Sequence, residues 1–263
     1  MGRMLLAKFH EAGAGELFAA NRTRSKLEGL ASDITICESN PELAESSDIV
    51  FVCVRPADLP AVLTEIRDAV RPGTVVVSLN GSVSFDAIGG ILRVKTAKVI
   101  PSLTAEINRS QTLVCFNELM EEEDKQALTD ILKCMGDVIV LPENEMGMGS
   151  ELVSCMPGFI ASIFDVICTE AGKHTSIPEE QIVSMVLNTM SATGDLMISR
   201  DMTFESVVGR VATKGGITEE GTSVVYDRFP EVADELFRKT LEKRRLTAEK
   251  AALTVLNSGS DGQ

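Results

Sequence analysis

Apolar and polar positions follow two rhythms along this chain, and one gives way to the other near residue 144. Ahead of that point, short apolar runs recur between polar stretches. Residues 49–54 and 74–79 are nearly continuous runs rich in Val and Ile. Runs without alternation suit parallel strands covered by helices on both faces. Shorter strands are expected at 16–20, 34–37, 98–100, 112–116 and 138–141. Helical spacing separates several of them. Met1, Leu5 and Phe9 recur every four residues, and Gly13 and Gly15 end the run, so a helix is expected from Met1 to about Ala12. Leu59, Val62, Leu63 and Ile66 predict a second helix within 57–69. A third is expected over 121–135, with Glu121, Glu122, Glu123 and Asp124 in its first turn, where acid suits the helix dipole.

Beyond about Asn144 the strand pattern stops. Helical stretches are expected near 145–172, 179–200, 203–212, 218–228 and 230–254, and 258–263 is expected to be a disordered tail. Met185, Met190 and Met197 lie on these stretches, and a Met stripe at helical spacing reads as core or interface. No repeat and no low-complexity linker intervenes, so the boundary falls within 142–150. The chain therefore reads as an α/β domain over 1–145, with a doubly wound parallel sheet, followed by an all-α domain over 146–257. A crossover helix should follow a strand, yet this pattern starts on the helix. Either the sheet begins with a helix, or a strand and a glycine turn precede Met1.

Composition narrows the functional classes. The 263 residues allow one large domain or two ordinary ones, and 44% hydrophobic content is ample for a core. A formal net charge of −14 argues against a nucleic-acid partner, because phosphate binding needs a basic face. No run approaches the ~18–20 consecutive apolar residues of a membrane span, and no basic-then-apolar leader opens the chain, so a cytoplasmic protein without a membrane partner is expected. Cys37, Cys53, Cys115, Cys134, Cys155 and Cys168 include no C-x-x-C pair and read as reduced thiols. With His10 and His174 alone, no histidine-based metal site is expected.

Four segments can carry chemistry. Asn21-Arg22-Thr23-Arg24-Ser25-Lys26 is a basic cluster just after a strand. In dinucleotide folds that place reads the adenosine ribose, with an acid for NAD and an arginine for the 2′-phosphate of NADP. It also reads as a solvated loop before a helix capped by Thr23 or Ser25. Val54-Arg55-Pro56 and Asn80-Gly81 follow the two central strands, at the edge where open α/β sheets bind ligands, or are ordinary strand-to-helix turns. Residues 213–221 hold Gly215, Gly216 and Thr218 between two helices. Paired glycines let backbone amides converge on a carboxylate, and Thr218 can cap the next helix. Glu219 and Glu220 oppose an anion there, and a plain helix–helix turn fits equally. In 153–159, Pro157 kinks a helix or marks its start. Cys155 has no histidine in sequence context, so an inert thiol is expected.

Together these segments resemble the pyrroline-5-carboxylate reductase family, in order and over nearly the whole chain. Met1-Gly2-Arg3-Met4-Leu5 resembles the helix start after the family's G-x-G-N-M-G loop. Asn21-Arg22-Thr23 resembles its NADP-reading turn, Asn40 an Asn ahead of the next strand, and Val54-Arg55-Pro56 its Val-Lys-Pro. Asn80-Gly81, Lys98-Val99-Ile100-Pro101-Ser102, 153–159 and 215–221 resemble its Ala-Gly, Arg-x-Met-Pro-Asn, Ser-Gly-Ser-Gly-Pro-Ala-Tyr and Gly-Gly-x-Thr-x-x-Gly segments. The resemblance implies a Rossmann-type domain, lacking its first strand and glycine loop here, followed by a helical dimerisation domain. It implies hydride transfer from NAD(P)H, NADPH favoured, to a cyclic imine, 1-pyrroline-5-carboxylate, giving L-proline, in a homodimer or larger homo-oligomer. Met1, Gly2, Asn21, Arg22, Thr23, Asn40, Val54, Arg55, Pro56, Asn80, Gly81, Pro101 and Ser102 would then face the cofactor. Cys155, Met156, Gly215, Gly216 and Thr218 would face the substrate, with Thr218 catalytic. Ser102 departs from Asn, Cys155 and Met156 from Ser and Gly, and Lys214 from Pro. Ser-Cys-x-Pro with Lys-Gly-Gly-Ile-Thr resembles the family's late-competence branch more closely. A regulatory relative that binds a nucleotide or small carboxylate, and a reductase of another cyclic imine, are the alternatives.

Overall fold

The structure is a computed structural model that describes residues 1–260, with side chains described to residue 250. The first helix, α1 (Gly2–Glu11), buries Leu5 and Phe9, the two apolar positions that follow Met1 at four-residue spacing. Two short strands, β1 (Phe18–Ala19) and β2 (Thr35–Ile36), pair in parallel as a sheet of their own. The helix α2 (Asn40–Ser46) has no apolar stripe to betray it, since Ala44 is its buried residue. What starts it is a cap: Ser39 Oγ accepts from Glu42 N, with proline in the first turn.

The main sheet follows. Its strands are β3 (Ile49–Val52), β4 (Val75–Ser78), β5 (Thr96–Ile100), β6 (Ser110–Phe116) and β7 (Gly136–Val140), paired in sequence order. The helices α3 (Leu59–Ile66), α4 (Phe85–Gly89) and α5 (Glu122–Leu132) connect them. Val75 and Val77 pack on one face with Leu5, Phe9, Leu128 and Leu132. Val76 packs on the other with Ala44, Leu59, Leu63, Ile66 and Ile88. Helices thus cover both faces, as the continuous apolar runs imply, and the sheet is of the doubly wound dinucleotide-binding type.

One feature of the expected sheet is corrected. β3, β4 and β5 run parallel, but β6 is antiparallel to β5 and parallel to β7. Apolar density does not encode strand direction. The link between β5 and β6 spans only residues 101–109 and holds a single 3₁₀ turn, Leu103–Ile107. A parallel return needs a crossover of a dozen or more residues, so the chain turns back on itself.

After a 3₁₀ turn at Glu143–Glu145 the rest is helical: α6 (Met146–Ser150), a π-helical turn Glu151–Cys155, α7 (Met156–Gly172), α8 (Glu179–Ser199), α9 (Phe204–Val211) and α10 (Ile217–Ser260). Pro157 therefore stands at the start of α7. The separate helices expected at 218–228 and 230–254 are one helix, α10, with Pro230 inside it. Pro230 is exposed, so water can take the carbonyl that its missing N–H leaves open. α10 also runs into the tail expected to be disordered; residues 261–263 of that tail lie outside the described residues. The stretch Glu143–Gly172 is long and apolar enough to cross a membrane by length and composition. It is not an unbroken apolar run, so the expectation on consecutive apolar residues stands beside it: Glu151, Ser154, Ser162, Asp165 and Glu170 interrupt the stretch.

Packing divides the chain into two compact units, Met1–Pro157 with Thr240–Gln263, and Gly158–Lys239.

Candidate functional site

Because β3, β4 and β5 are parallel, their C-terminal ends share one edge. Val54, Arg55 and Pro56 leave β3 there, Asn80 and Gly81 leave β4, and Pro101 and Ser102 leave β5. Hydrogen bonds lock these turns together. Asn80 Nδ2 donates to Val54 O at 3.1 Å, and Asn80 N donates to Ser78 Oγ at 3.2 Å. A Cβ on Gly81 would lie 2.5 Å from Ile100 Cδ1, so a side chain there would push the two turns apart. Ser102 N donates to Ser110 Oγ at 3.1 Å. Ser102 Oγ donates to Val153 O at 3.0 Å, which ties this edge to the π turn that carries Cys155 and precedes Met156. Arg55 is exposed and pairs with Asp58.

The same edge meets the start of α1. A Cβ on Gly2 would stand 3.1 Å from Cys53 Cβ, at the end of β3. Met1 is the N-cap, no side chain caps the helix, and no acid occupies its first turn. The first amides of α1 are therefore open to an anion, and the absent side chain at Gly2 lets the helix end approach the sheet. A dinucleotide's phosphates suit this cradle. Beside it, Arg3 donates to the carbonyls of Lys26, Glu28 and Gly29, fastening the 21–29 loop to α1.

Inside that loop the expected cap by Thr23 or Ser25 is corrected. Residues Arg24–Leu27 form a single 3₁₀ turn with no side-chain cap, and Asn21 Oδ1 instead accepts from Thr23 N at 2.9 Å. Arg24 pairs with Glu38; their hydrogen bond, then their charge attraction, raises the guanidinium and lowers the carboxyl pKa. Asn40, at the start of α2, donates from Nδ2 to Glu65 Oε2 at 2.8 Å and so braces α2 against α3.

The glycine turn of the second unit is conformationally specific. Gly215 has φ +74°, which favours glycine, and a Cβ on Gly216 would meet Thr213 Oγ1 at 2.7 Å. Gly215 N donates to Glu219 Oε2 at 2.6 Å, so the turn's own acid answers the amide offered to a carboxylate. The expected cap by Thr218 is corrected: α10 begins at Ile217, and Thr218 is already within its first turn.

Two groupings escape sequence reading. Lys98 is fully buried in β5; its Nζ donates to Val83 O at 3.0 Å and to Glu143 Oε1 at 2.7 Å. Phe85 N donates to the same oxygen at 2.8 Å. Glu151 is 1% exposed and Arg244, 93 residues onward, donates to it from Nε and Nη2. Ser150 accepts from the same Nη2 at 2.9 Å. A lysine inside an apolar strand was a legible signal for the first grouping; nothing in spacing links Glu151 to Arg244. The Cys155 thiol is raised by burial first and then by the Glu151 charge, which agrees with an unreactive thiol, and all six cysteines are free.

Comparison with known proteins supplies the family. A family model described as pyrroline-5-carboxylate reductase dimerisation matches residues 143–246, and one described as NADP oxidoreductase, coenzyme F420-dependent, matches residues 1–81. Pyrroline-5-carboxylate reductase 3 of Bacillus subtilis is 31% identical over 93% of this chain and 91% of its own length. ComE operon protein 4 of the same organism is 23% identical over 91% of this chain and 90% of its own. Among solved structures, Plasmodium falciparum pyrroline carboxylate reductase with NADP bound superposes with a TM-score of 0.83 at 19% identity, over 94% of each chain. The Streptococcus pyogenes 1-pyrroline-5-carboxylate reductase gives 0.82 at 17% identity, over 92% of this chain and 93% of that one. Two locked turns at a parallel sheet edge, a helix start open to phosphate and a helical dimerisation domain thus coincide with sequence kinship over nearly the full length: the chain belongs to the pyrroline-5-carboxylate reductase family of nicotinamide-dependent oxidoreductases.

Proposed function

We propose that this protein reduces a cyclic imine that carries a carboxylate, 1-pyrroline-5-carboxylate, to L-proline, with NADPH as the reductant. The observation that carries the reading is the tethered edge, where Asn80 holds Val54 and Ser102 holds the turn before Met156. When bound, the nicotinamide supplies the hydride that becomes the new C–H bond of the ring, while the C=N π electrons become the nitrogen lone pair. The chain's own work is to position and to bind charge, since a protonated imine needs no strong acid. Gly2 and the first amides of α1 would take the pyrophosphate, and Val54, Pro56, Asn80, Gly81, Pro101 and Ser102 would hold the nicotinamide end. Asn21, Arg22 and Thr23 would read the ribose. Arg24 is engaged by Glu38, so Arg22 would meet the 2′-phosphate of NADPH first. Gly215, Gly216 and Thr218 would hold the substrate carboxylate, which must displace Glu219 from Gly215 N.

The helical domain's apolar faces support a homodimer or larger homo-oligomer, and the biosynthetic reading supports a cytoplasmic place of action.

The test is turnover: the purified protein is mixed with NADPH and pyrroline-5-carboxylate and followed at the nicotinamide absorbance. Oxidation that depends on the imine is expected, faster with NADPH than with NADH. A protein that binds the dinucleotide but oxidises none at saturating imine would favour a non-catalytic relative, the reading suggested by the likeness to ComE operon protein 4. Oxidation with a different ring imine alone would favour a changed substrate pocket, with Met156 the residue to replace by Gly.

A further inference from the structure

Lys98 and Glu151 are the charged residues buried among the described residues, and they are left in different states. Lys98 Nζ has two acceptors. Arg244 meets Glu151 through one oxygen only. Arg244 Nε and Nη2 both reach Oε1, at 3.1 and 2.8 Å, while Oε2 is buried without a partner. A buried acceptor left open costs about 1–3 kcal/mol, more when charged, so a fold keeps one only where something else answers it.

The position narrows what that is. Glu151 opens the π-helical turn that ends at Cys155, and such turns concentrate at functional sites. Ser102 holds the same turn through Val153 O. Arg244 Nη1 would lie 3.7 Å from a Cβ on Gly81. The pair therefore lies between the strand-end edge and the Cys155–Met156 turn, within one packing unit.

The two charges do not cancel there. Glu151 is 1% exposed, whereas the Arg244 side chain is 23% exposed and is screened by water on that side. The carboxylate keeps most of its field and the guanidinium loses part of its own. The Cys155 thiol senses the result, being raised by burial first, then by the Glu151 charge and by its hydrogen bond to the Glu151 carboxylate.

We propose that Glu151 is a positioning residue that makes the Cys155–Met156 turn a seat for a cation, so that the site selects the ring nitrogen in its positively charged, N-protonated form. The inference rests on the cyclic-imine reading, its protonated ring nitrogen included, and adds to it the residue that selects that charge state. Glu151 exchanges no proton in this role. The iminium C=N⁺–H accepts the hydride at carbon and leaves as the neutral amine C–H/N–H, which then takes a proton from water.

The experiment compares two ligands of one shape. L-Proline carries a cationic ring nitrogen, and tetrahydrofuran-2-carboxylate carries a neutral ring oxygen in its place. Binding of each is measured by calorimetry with the oxidised dinucleotide present, in the wild type, Glu151→Gln, Glu151→Asp and Arg244→Met. In Glu151→Gln the affinity for proline should fall about tenfold, the scale of one charge-assisted contact, with tetrahydrofuran-2-carboxylate within about twofold of the wild type. Glu151→Asp should restore proline binding. Arg244→Met should raise the preference for proline at least about threefold, because it removes the partly compensating charge; this arm carries the test should Glu151→Gln fail to fold. Equal loss of both ligands in Glu151→Gln, or no rise in preference in Arg244→Met, would overturn the cation seat and leave the reductase reading standing. A wild type that binds neither ligand would overturn both.

Discussion

The two packing units treat their apolar residues in opposite ways. In the first, Val76, Val77, Ala97, Val99, Leu128 and Leu132 have no exposure at all. In Gly158–Lys239, Ile182 is the one buried position among the described residues, and Leu187, Phe204, Val211, Val224, Val225 and Tyr226 are each more than half exposed. The first unit closes its core with its own helices on both sheet faces. The second is a set of helices whose apolar stripes lie exposed among the described residues. That is what half of an obligate interface looks like, and it coincides with the family's dimerisation match over residues 143–246. Stability of the first unit should therefore be a property of the chain, and stability of the second a property of the assembly.

The strongest break of this comparison is a core truncation. Leu132→Ala should cost about 2–5 kcal/mol, because the packed surroundings cannot collapse into the void. Urea melts at two protein concentrations tenfold apart should show the same loss. A loss that shrank at the higher concentration would mean that the first unit too depends on a partner.

Next comes the buried lysine of the same unit. Lys98→Met strands Glu143 and Val83 O, but Glu143 is 38% exposed and water can serve it. The cost should be about 2 kcal/mol, below the ~3–5 expected when a fully buried pair is broken. A neutral outcome in the same melts would show that the lysine is replaceable by apolar packing.

Leu187→Asp tests the other side. Leu187 is 52% exposed on α8, so the isolated chain should lose little. The midpoint concentration for dissociation should rise about tenfold, near 1.4 kcal/mol, read by sedimentation. Unchanged assembly would place the interface on another face of the unit.

How much of this was legible follows the same division. Val75, Val76 and Val77 announce a strand covered on both faces because burial leaves no polar residue in the run. Helix α2 was missed for the opposite reason: it is set by Ser39 and its first-turn proline, with one buried residue. The antiparallel turn into β6 was missed because direction lies in the length of the 101–109 link and not in its neighbours' composition. At the candidate site, Asn80, Gly81, Pro101 and Ser102 were readable as strand ends. Glu151 and Arg244 were not, since their contact joins a π turn to a helix 93 residues away and neither position has a local pattern.

The smallest effect belongs to the surface of the first unit and separates charge from shape. Asp124 sits in the capping box of α5, where Glu121 N donates to its Oδ2 at 3.0 Å and Lys95 Nζ lies 2.7 Å from the same oxygen. Burial works to raise its pKa, but the Lys95 and Glu121 hydrogen bonds and the lysine charge hold it below the usual carboxylate range. A carboxyl lowered by folding stabilises the fold above its unfolded value, and that contribution is lost as pH falls through the folded value. Asp124→Asn keeps an acceptor for Glu121 N and removes only the charge. It should cost about 0.5–1 kcal/mol at neutral pH, and the deficit should close as the solution becomes strongly acid, since the wild-type carboxyl is then neutral as well. A deficit that stayed constant into acid would assign the effect to the shape of the cap, and Lys95 would then contribute nothing that an uncharged neighbour could not.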